Sequence, residues 1–97
     1  MKTAAIVPAF NEAESLPDVL LEIKQAFPEH LIVVVDDGST DGTSEIAKEF
    51  GCVCLSMPFN LGIGGALRLG FRYCNEKEIE RAYQFDADGQ HDPTQIS

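Results

Sequence analysis

Short apolar runs rich in β-branched residues alternate along this chain with longer stretches whose apolar residues recur every three or four positions. That alternation dictates repeated βαβ units built on a mainly parallel sheet. The clearest run, Leu31 to Val35, is too short and too β-branched to be anything but a buried strand, and it leads directly into Asp36-Asp37-Gly38-Ser39. Ala4 to Val7 predicts a first strand stopped by Pro8, Cys52 to Met57 a third, and Ala82 to Phe85 a fourth. Between them, Leu16, Val19, Leu20, Ile23, Ala26 and Phe27 trace a first helix, with Ser15 as its cap, Pro17 in its first turn and Pro28 ending it. Thr40 or Asp41 caps a second helix that faces inward with Ile46, Ala47 and Phe50 and closes at Gly51. Ile63, Ala66, Leu67, Gly70, Phe71 and Cys74 line one face of a third. The expected fold class is α/β: a Rossmann-like, three-layer α/β/α domain covering residues 1–97 as one unit. Four parallel strands leave an edge and a face poorly covered, and Ser97 falls where another helix should begin. We therefore expect a truncated piece of a longer domain, with an exposed sheet edge available for self-association.

Charge narrows the function. Sixteen Asp and Glu against seven Lys and Arg give a formal net charge of -9, which removes the electrostatic footprint of a nucleic-acid binder. A small phosphorylated ligand that carries a metal ion with it escapes that repulsion. The longest aliphatic run falls far short of the roughly 20 residues that span a bilayer, and a secretory signal is missing from the first residues. Cys52, Cys54 and Cys74 are odd in number, and Cys52 with Cys54 has strand spacing where a redox pair or zinc knuckle needs two intervening residues. They read as buried free thiols in a reducing cytoplasm.

Open parallel sheets bind ligands beyond the carboxyl ends of their strands. Here those ends carry Phe10, Asn11 and Glu12 after the first strand, Asp36 and Asp37 after the second, and Asp86 and Asp88 after the fourth. Carboxylates gathered there repel one another unless something positive sits among them, and a divalent cation is the economical answer. Asp86 and Asp88, with Gln90 adding a neutral oxygen, form an oxygen-only set that selects Mg²⁺ or Mn²⁺. A polar turn has the same composition. An EF-hand does not, because its third acidic ligand and closing Glu are absent.

Four segments taken together are more specific. Val7-Pro8-Ala9-Phe10-Asn11-Glu12, Val34-Val35-Asp36-Asp37-Gly38-Ser39-Thr40-Asp41, Asn60-Leu61-Gly62-Ile63-Gly64-Gly65-Ala66 and Gln84-Phe85-Asp86-Ala87-Asp88-Gly89-Gln90-His91-Asp92-Pro93 resemble, in order and spacing, the N-terminal half of family 2 glycosyltransferases. Within that family the likeness is to the dolichyl-phosphate or polyprenyl-phosphate mannosyltransferase branch. It implies the A-type glycosyltransferase fold, truncated here, with a nucleotide-diphosphate sugar as donor and Mg²⁺ or Mn²⁺ on the diphosphate. It places Pro8, Ala9, Phe10 and Glu12 around the nucleoside, Val35 and Asp37 at the base and ribose, and Asp86, Ala87, Asp88 and Gln90 in the metal and diphosphate group. Pro8 and Phe10 also make independent sense as a flat apolar wall, and Glu12 and Asp37 as acceptors for ring N–H or ribose hydroxyl groups.

By the same resemblance the donor is of the GDP-mannose or UDP-glucose class, the acceptor a polyprenyl phosphate, and the reaction an inverting displacement. The general base belongs to the family's second half, so this piece alone is expected to be inactive. Any attachment to the cytoplasmic face of a membrane would come from sequence beyond it. The glycines of Asn60 to Ala66 either let backbone approach a phosphate or sugar, or let the third helix pack closely on the sheet. His91 and His30 read as turn and structural residues, and Arg68 and Arg72 as a solvated pair.

Two enzyme rivals fall away. A dinucleotide-dependent dehydrogenase needs Gly-x-Gly-x-x-Gly at the first turn, where this chain has Pro8 to Ala13. A haloacid-dehalogenase-like phosphatase places its Asp pair after the first strand, not the fourth. The alternative from another class is a non-catalytic nucleotide or nucleotide-sugar binding module.

Overall fold

A computed structural model describes residues 2–87, so Asp88, Gln90, His91, Asp92 and Pro93 lie outside the described residues. The elements follow in the order β1 (Thr3–Ala9), α1 (Leu16–Ala26), β2 (Leu31–Asp36), α2 (Thr43–Glu49), β3 (Val53–Ser56), α3 (Ile63–Glu76) and β4 (Arg81–Gln84). All strand pairs are parallel and the sheet order is β3-β2-β1-β4. The winding runs outward from β1 through β2 to β3 and then crosses to the far side of β1 for β4. The reversal opens a crevice at the carboxyl ends of the central strands.

β1 continues through Pro8, which pairs with Val35, instead of stopping there. The Ala9 carbonyl accepts from Asp37 on the β2 side, whereas the Ile6 carbonyl accepts from Phe85 on the β4 side. Pro8, two residues after Ile6, therefore turns its missing donor toward β4, whose pairing with β1 ends at Ile6. The β1–β4 pairing stops before Pro8, and this is the edge-like position that tolerates proline in a strand.

Alternation along the strands makes the three layers. Ala5, Val7, Ala9, Ile32 and Val34 pack under α1 and α2 with Leu16, Val19, Leu20, Ile23 and Ala47. Ala4, Ile6, Val33 and Val35 face the other way, onto α3. Ile6, Leu16, Leu20 and Ile23 are fully buried, and each such side chain contributes about 1.5–3 kcal/mol relative to exposure. The α3 interface is close. A Cβ at Gly70 would lie 2.5 Å from Ile6 Cγ2 and 3.3 Å from Val35 Cγ2, so only glycine permits the observed approach.

The buried side of α3 is Ala66, Gly70 and Cys74, flanked by Leu67, Leu69 and Tyr73. Ile63 and Phe71 do not join it and stay 59% and 43% exposed. Ile63 is the first residue of the helix and borders the crevice, while Phe71 is turned about 100° from Gly70 around the axis. In α2, Thr43 and Ala47 are buried, Ile46 and Phe50 pack partly against the core, and Gly51 follows with φ +75°. His30 stacks on Phe27 at 4.7 Å and its Nδ1 lies 2.9 Å from the Tyr83 hydroxyl, a structural role where β2 begins. The cysteines are free: Cys74 is buried, Cys52 and Cys54 half-buried, and burial raises the thiol pKa of Cys52 and Cys74. Among the described residues no helix is long and apolar enough to cross a membrane.

Candidate functional site

The crevice is framed by loops, and loops must find partners for their backbone N–H groups. After β1 the chain turns at Asn11, which takes a left-handed φ of +52°. Its N–H donates to Ser39 Oγ at 2.8 Å, and its own Oδ1 accepts the Thr40 N–H at 2.9 Å. The N–H of Glu12 donates to Thr43 Oγ1 at 3.1 Å and that of Ala13 to Asp41 Oδ2 at 3.2 Å. The loops after β1 and β2 are thus knitted together through side chains on both.

Asp41 also accepts from the N–H and the hydroxyl of Thr43, so it caps α2 from the residue before Gly42, the formal N-cap. The Thr43 hydroxyl is the main cause holding its carboxyl below the usual carboxylate range. Thr40 takes no part in the cap. Ser15, expected as the cap of α1, makes no capping bond and instead donates from Oγ to the carbonyl of Ala87 at 2.5 Å. That bond ties the start of α1 to the turn that carries Asp86.

Asp36 and Asp37 are both buried, and each has a defined partner. Asp36 Oδ1 accepts the Ser39 N–H at 2.9 Å, a local turn that starts the loop. Asp37 accepts from the loop before α3, with Oδ1 on the Leu61 N–H at 2.8 Å and Oδ2 on the Gly62 N–H at 2.9 Å. Gly38 lets that loop come close, because a Cβ there would sit 2.6 Å from the carbonyl carbon of Phe59.

A cleft of about 220 Å³ lies between these loops, lined by Pro8, Ala9, Phe10, Glu12, Asp37, Asn60, Gly62, Ile63 and Ala66. The structure therefore brings together Pro8, Ala9, Phe10, Glu12 and Asp37 from the sequence-derived set. It does not bring Val35 with them, since that side chain is fully buried beneath α3. Asp86 is half-buried at the end of β4 and accepts from Gln84 Nε2 at 2.9 Å, while Ala87 packs into the core under α1. Neither lines the cleft. Among the described residues no group of His, Cys, Asp or Glu side chains is placed to hold a metal ion, and Asp88 and Gln90 fall outside them.

The Asn60–Ala66 wall was marked in the sequence by its glycines and as one of the four family segments, with no single residue of it assigned to the ligand. The Ser15–Ala87 bond had no signal, because Ser15 fits a helix cap equally well.

The family sequence profile described as glycosyl transferase family 2 matches residues 4–97. The chain belongs to glycosyl transferase family 2. It is 43% identical, over 94% of its length, to an uncharacterised protein of Methanocaldococcus jannaschii, covering 37% of that protein. It is 38% identical to the undecaprenyl-phosphate mannosyltransferase of Micrococcus luteus, over 99% of this chain and 42% of that enzyme. For the polyprenol monophosphomannose synthase of Mycolicibacterium smegmatis the figures are 33%, 99% and 38%. This family 2 chain thus spans about two fifths of the length of these relatives.

Among solved structures, TarS of S. aureus in complex with UDP superposes with a TM-score of 0.75 at 28% identity, over 91% of this chain and 28% of that one. The mannosyltransferase PcManGT of Pyrobaculum calidifontis, solved with GDP-Man and Mn²⁺, superposes at 0.73 and 24% identity over 90% of this chain and 27% of that one. These likenesses establish the A-type glycosyltransferase fold expected from the four motifs.

Proposed function

We propose that this family 2 chain supplies the donor-binding part of an inverting, metal-dependent glycosyltransferase. In this reading the enzyme moves a sugar from a nucleotide-diphosphate sugar to a polyprenyl phosphate. The observation that carries the proposal is the cleft beside the sheet's topological switch point, lined by the apolar Pro8 and Phe10 together with Glu12. Its volume of about 220 Å³ is below the 300–1,000 Å³ of sites that enclose a whole drug-sized ligand, and it suits the nucleoside end of the donor. The acceptor class is supported by the names of the M. luteus and M. smegmatis relatives, and the nucleotide class by UDP bound in TarS.

Glu12 is the open carboxylate of the cleft. Its Oε2 lies 3.3 Å from the Ser15 hydroxyl, which is also 2.5 Å from the Ala87 carbonyl. A carboxylate has acceptor sites to spare for a purine or uracil N–H, or a ribose hydroxyl. Asp86 fits a cation. Its carboxylate accepts from the neutral amide of Gln84, and among the described residues the one ion pair is the exposed Arg72–Glu76 pair. Mg²⁺ or Mn²⁺, held by Asp86 with Asp88 and Gln90, would neutralise the charge of the departing diphosphate. Asp86→Ala and Asp88→Ala are expected to abolish the Mn²⁺ dependence of nucleotide binding while the circular-dichroism spectrum is retained. Metal-dependent affinity unchanged in both variants would remove the pair from the site.

A further inference from the structure

We propose that Ser15 is a positioning residue for the metal and diphosphate group: its hydroxyl holds the carbonyl of Ala87, and through it the turn that carries Asp86, against the start of α1. The inference rests on the donor-site reading above and adds to it a residue from outside the four sequence segments.

The geometry is specific. β4 ends at Gln84, and the Phe85 N–H carries the pairing with β1 one step further by donating to the Ile6 carbonyl at 2.9 Å. Phe85 and Ala87 are then buried in the core beneath α1 with Leu16 and Val19, while Asp86 between them is half-buried. Among the described residues the Ser15–Ala87 bond, at 2.5 Å, is the one hydrogen bond that joins Asp86 or Ala87 to a part of the chain other than β4 and the residue after it. It is a contact across 72 positions of sequence.

The hydroxyl is the donor in that bond. Two unprotonated oxygens 2.5 Å apart would repel, and a carbonyl has no proton to give. The contact of the same hydroxyl with Glu12 Oε2 is longer, at 3.3 Å. The backbone of Ser15 is fixed in turn, because its N–H and that of Leu16 both donate to the Glu12 carbonyl, at 3.2 and 2.8 Å. Glu12 lines the nucleoside cleft. A short path through the Glu12 backbone, the Ser15 side chain and the Ala87 backbone therefore joins that cleft to the turn of the metal group.

Sequence alone reads Ser15 as the cap of α1. It is the formal N-cap, yet its side chain makes no capping bond. A capping serine works as an acceptor, whereas the bond to Ala87 uses its proton. The two roles are therefore separable by substitution. Groups that hold metal ligands in place govern metal affinity without touching the ion, and a turn released from α1 loses that support.

The test measures Mn²⁺ affinity calorimetrically, with GDP or UDP present, in the wild-type chain and in Ser15→Ala, Ser15→Gly and Ser15→Thr, with circular dichroism to show that each is folded. The proposal predicts binding weaker by about tenfold or more in Ser15→Ala and Ser15→Gly, and recovery to within about threefold in Ser15→Thr, which keeps the hydroxyl. Glycine replaces a capping serine at little cost and alanine does not, so a loss confined to Ser15→Ala would assign the effect to the cap and overturn the proposal. Unchanged affinity in Ser15→Ala and Ser15→Gly, or an equal loss in all three variants, would overturn it as well.

A second readout needs no metal. Hydrogen bonding moves a carbonyl ¹³C resonance downfield, so that of Ala87 should shift upfield in Ser15→Ala and Ser15→Gly and hold its place in Ser15→Thr. A resonance indifferent to all three substitutions would overturn the bond itself. If the wild type bound no Mn²⁺ with either nucleotide, the metal reading would fall and the positioning role with it, and the carbonyl resonance would still decide whether Ser15 holds the turn.

Discussion

Asp41 and Gly38 show how single residues shape the site. The Asp41 carboxyl titrates below its ordinary value chiefly because of the Thr43 hydroxyl. A group whose folded pKa is depressed contributes stability that is fully present above its unfolded pKa, about 4, and is lost as pH falls through the folded pKa. Asp41→Asn should therefore melt lower than wild type at pH 6, with the difference shrinking as pH drops below about 4; a pH-independent gap in melting temperature would contradict the assignment. Gly38 has φ +83°, and an added Cβ would meet Phe59 C at 2.6 Å and Asn60 N at 2.7 Å. The left-handed conformation alone costs a non-glycine residue about 1–2 kcal/mol, and the clash is with backbone that cannot rotate away. Gly38→Ala should lose more than about 2 kcal/mol, seen as a fall in Tm of at least about 8 °C. The family resemblance named Asp37, Glu12, Pro8 and Phe10 as site residues, and their types and strand-end places also suit a nucleoside. It could not show which way each carboxylate turns. That depends on where the Leu61 and Gly62 amides lie, a contact across more than twenty residues of chain.

At the scale of elements, α3 is held against the sheet by what its glycines omit. Gly70→Ala places a methyl 2.5 Å from Ile6 Cγ2 in the core, whereas a Cβ at Gly64 meets nothing within 4 Å. Both substitutions gain helix propensity of up to about 1 kcal/mol, but overpacking costs about 1–3 kcal/mol and only Gly70 incurs it. Denaturant unfolding should show Gly70→Ala destabilised and Gly64→Ala neutral or stabilised. Equal effects would mean the helix stands further from β1 than described. The order of strands and helices was legible because β-branched runs and three-to-four periodicity are local signals. The misjudged points were tertiary. Pro8 stays in β1 because β4 ends early, and Ile63 and Phe71 stay exposed because Ala66, Gly70 and Cys74 already fill the contact.

On the scale of the whole molecule, a chain of net charge -9 gathers carboxylates at the carboxyl ends of its strands. Its fold and family are those of enzymes more than twice its length. The three-layer fold could be read from the sequence because each βαβ unit carries its own pattern. The central claim is that the cleft of Pro8, Phe10 and Glu12 receives the nucleoside of a metal-bound nucleoside diphosphate. Calorimetric titration of the chain with GDP and with UDP, each in Mn²⁺ and in chelator, tests it most directly. The account predicts binding of at least one nucleotide in Mn²⁺, its loss in chelator, and a clear weakening in Phe10→Ala. A folded chain that binds neither nucleotide, or binds one equally well with Phe10 replaced, would contradict it.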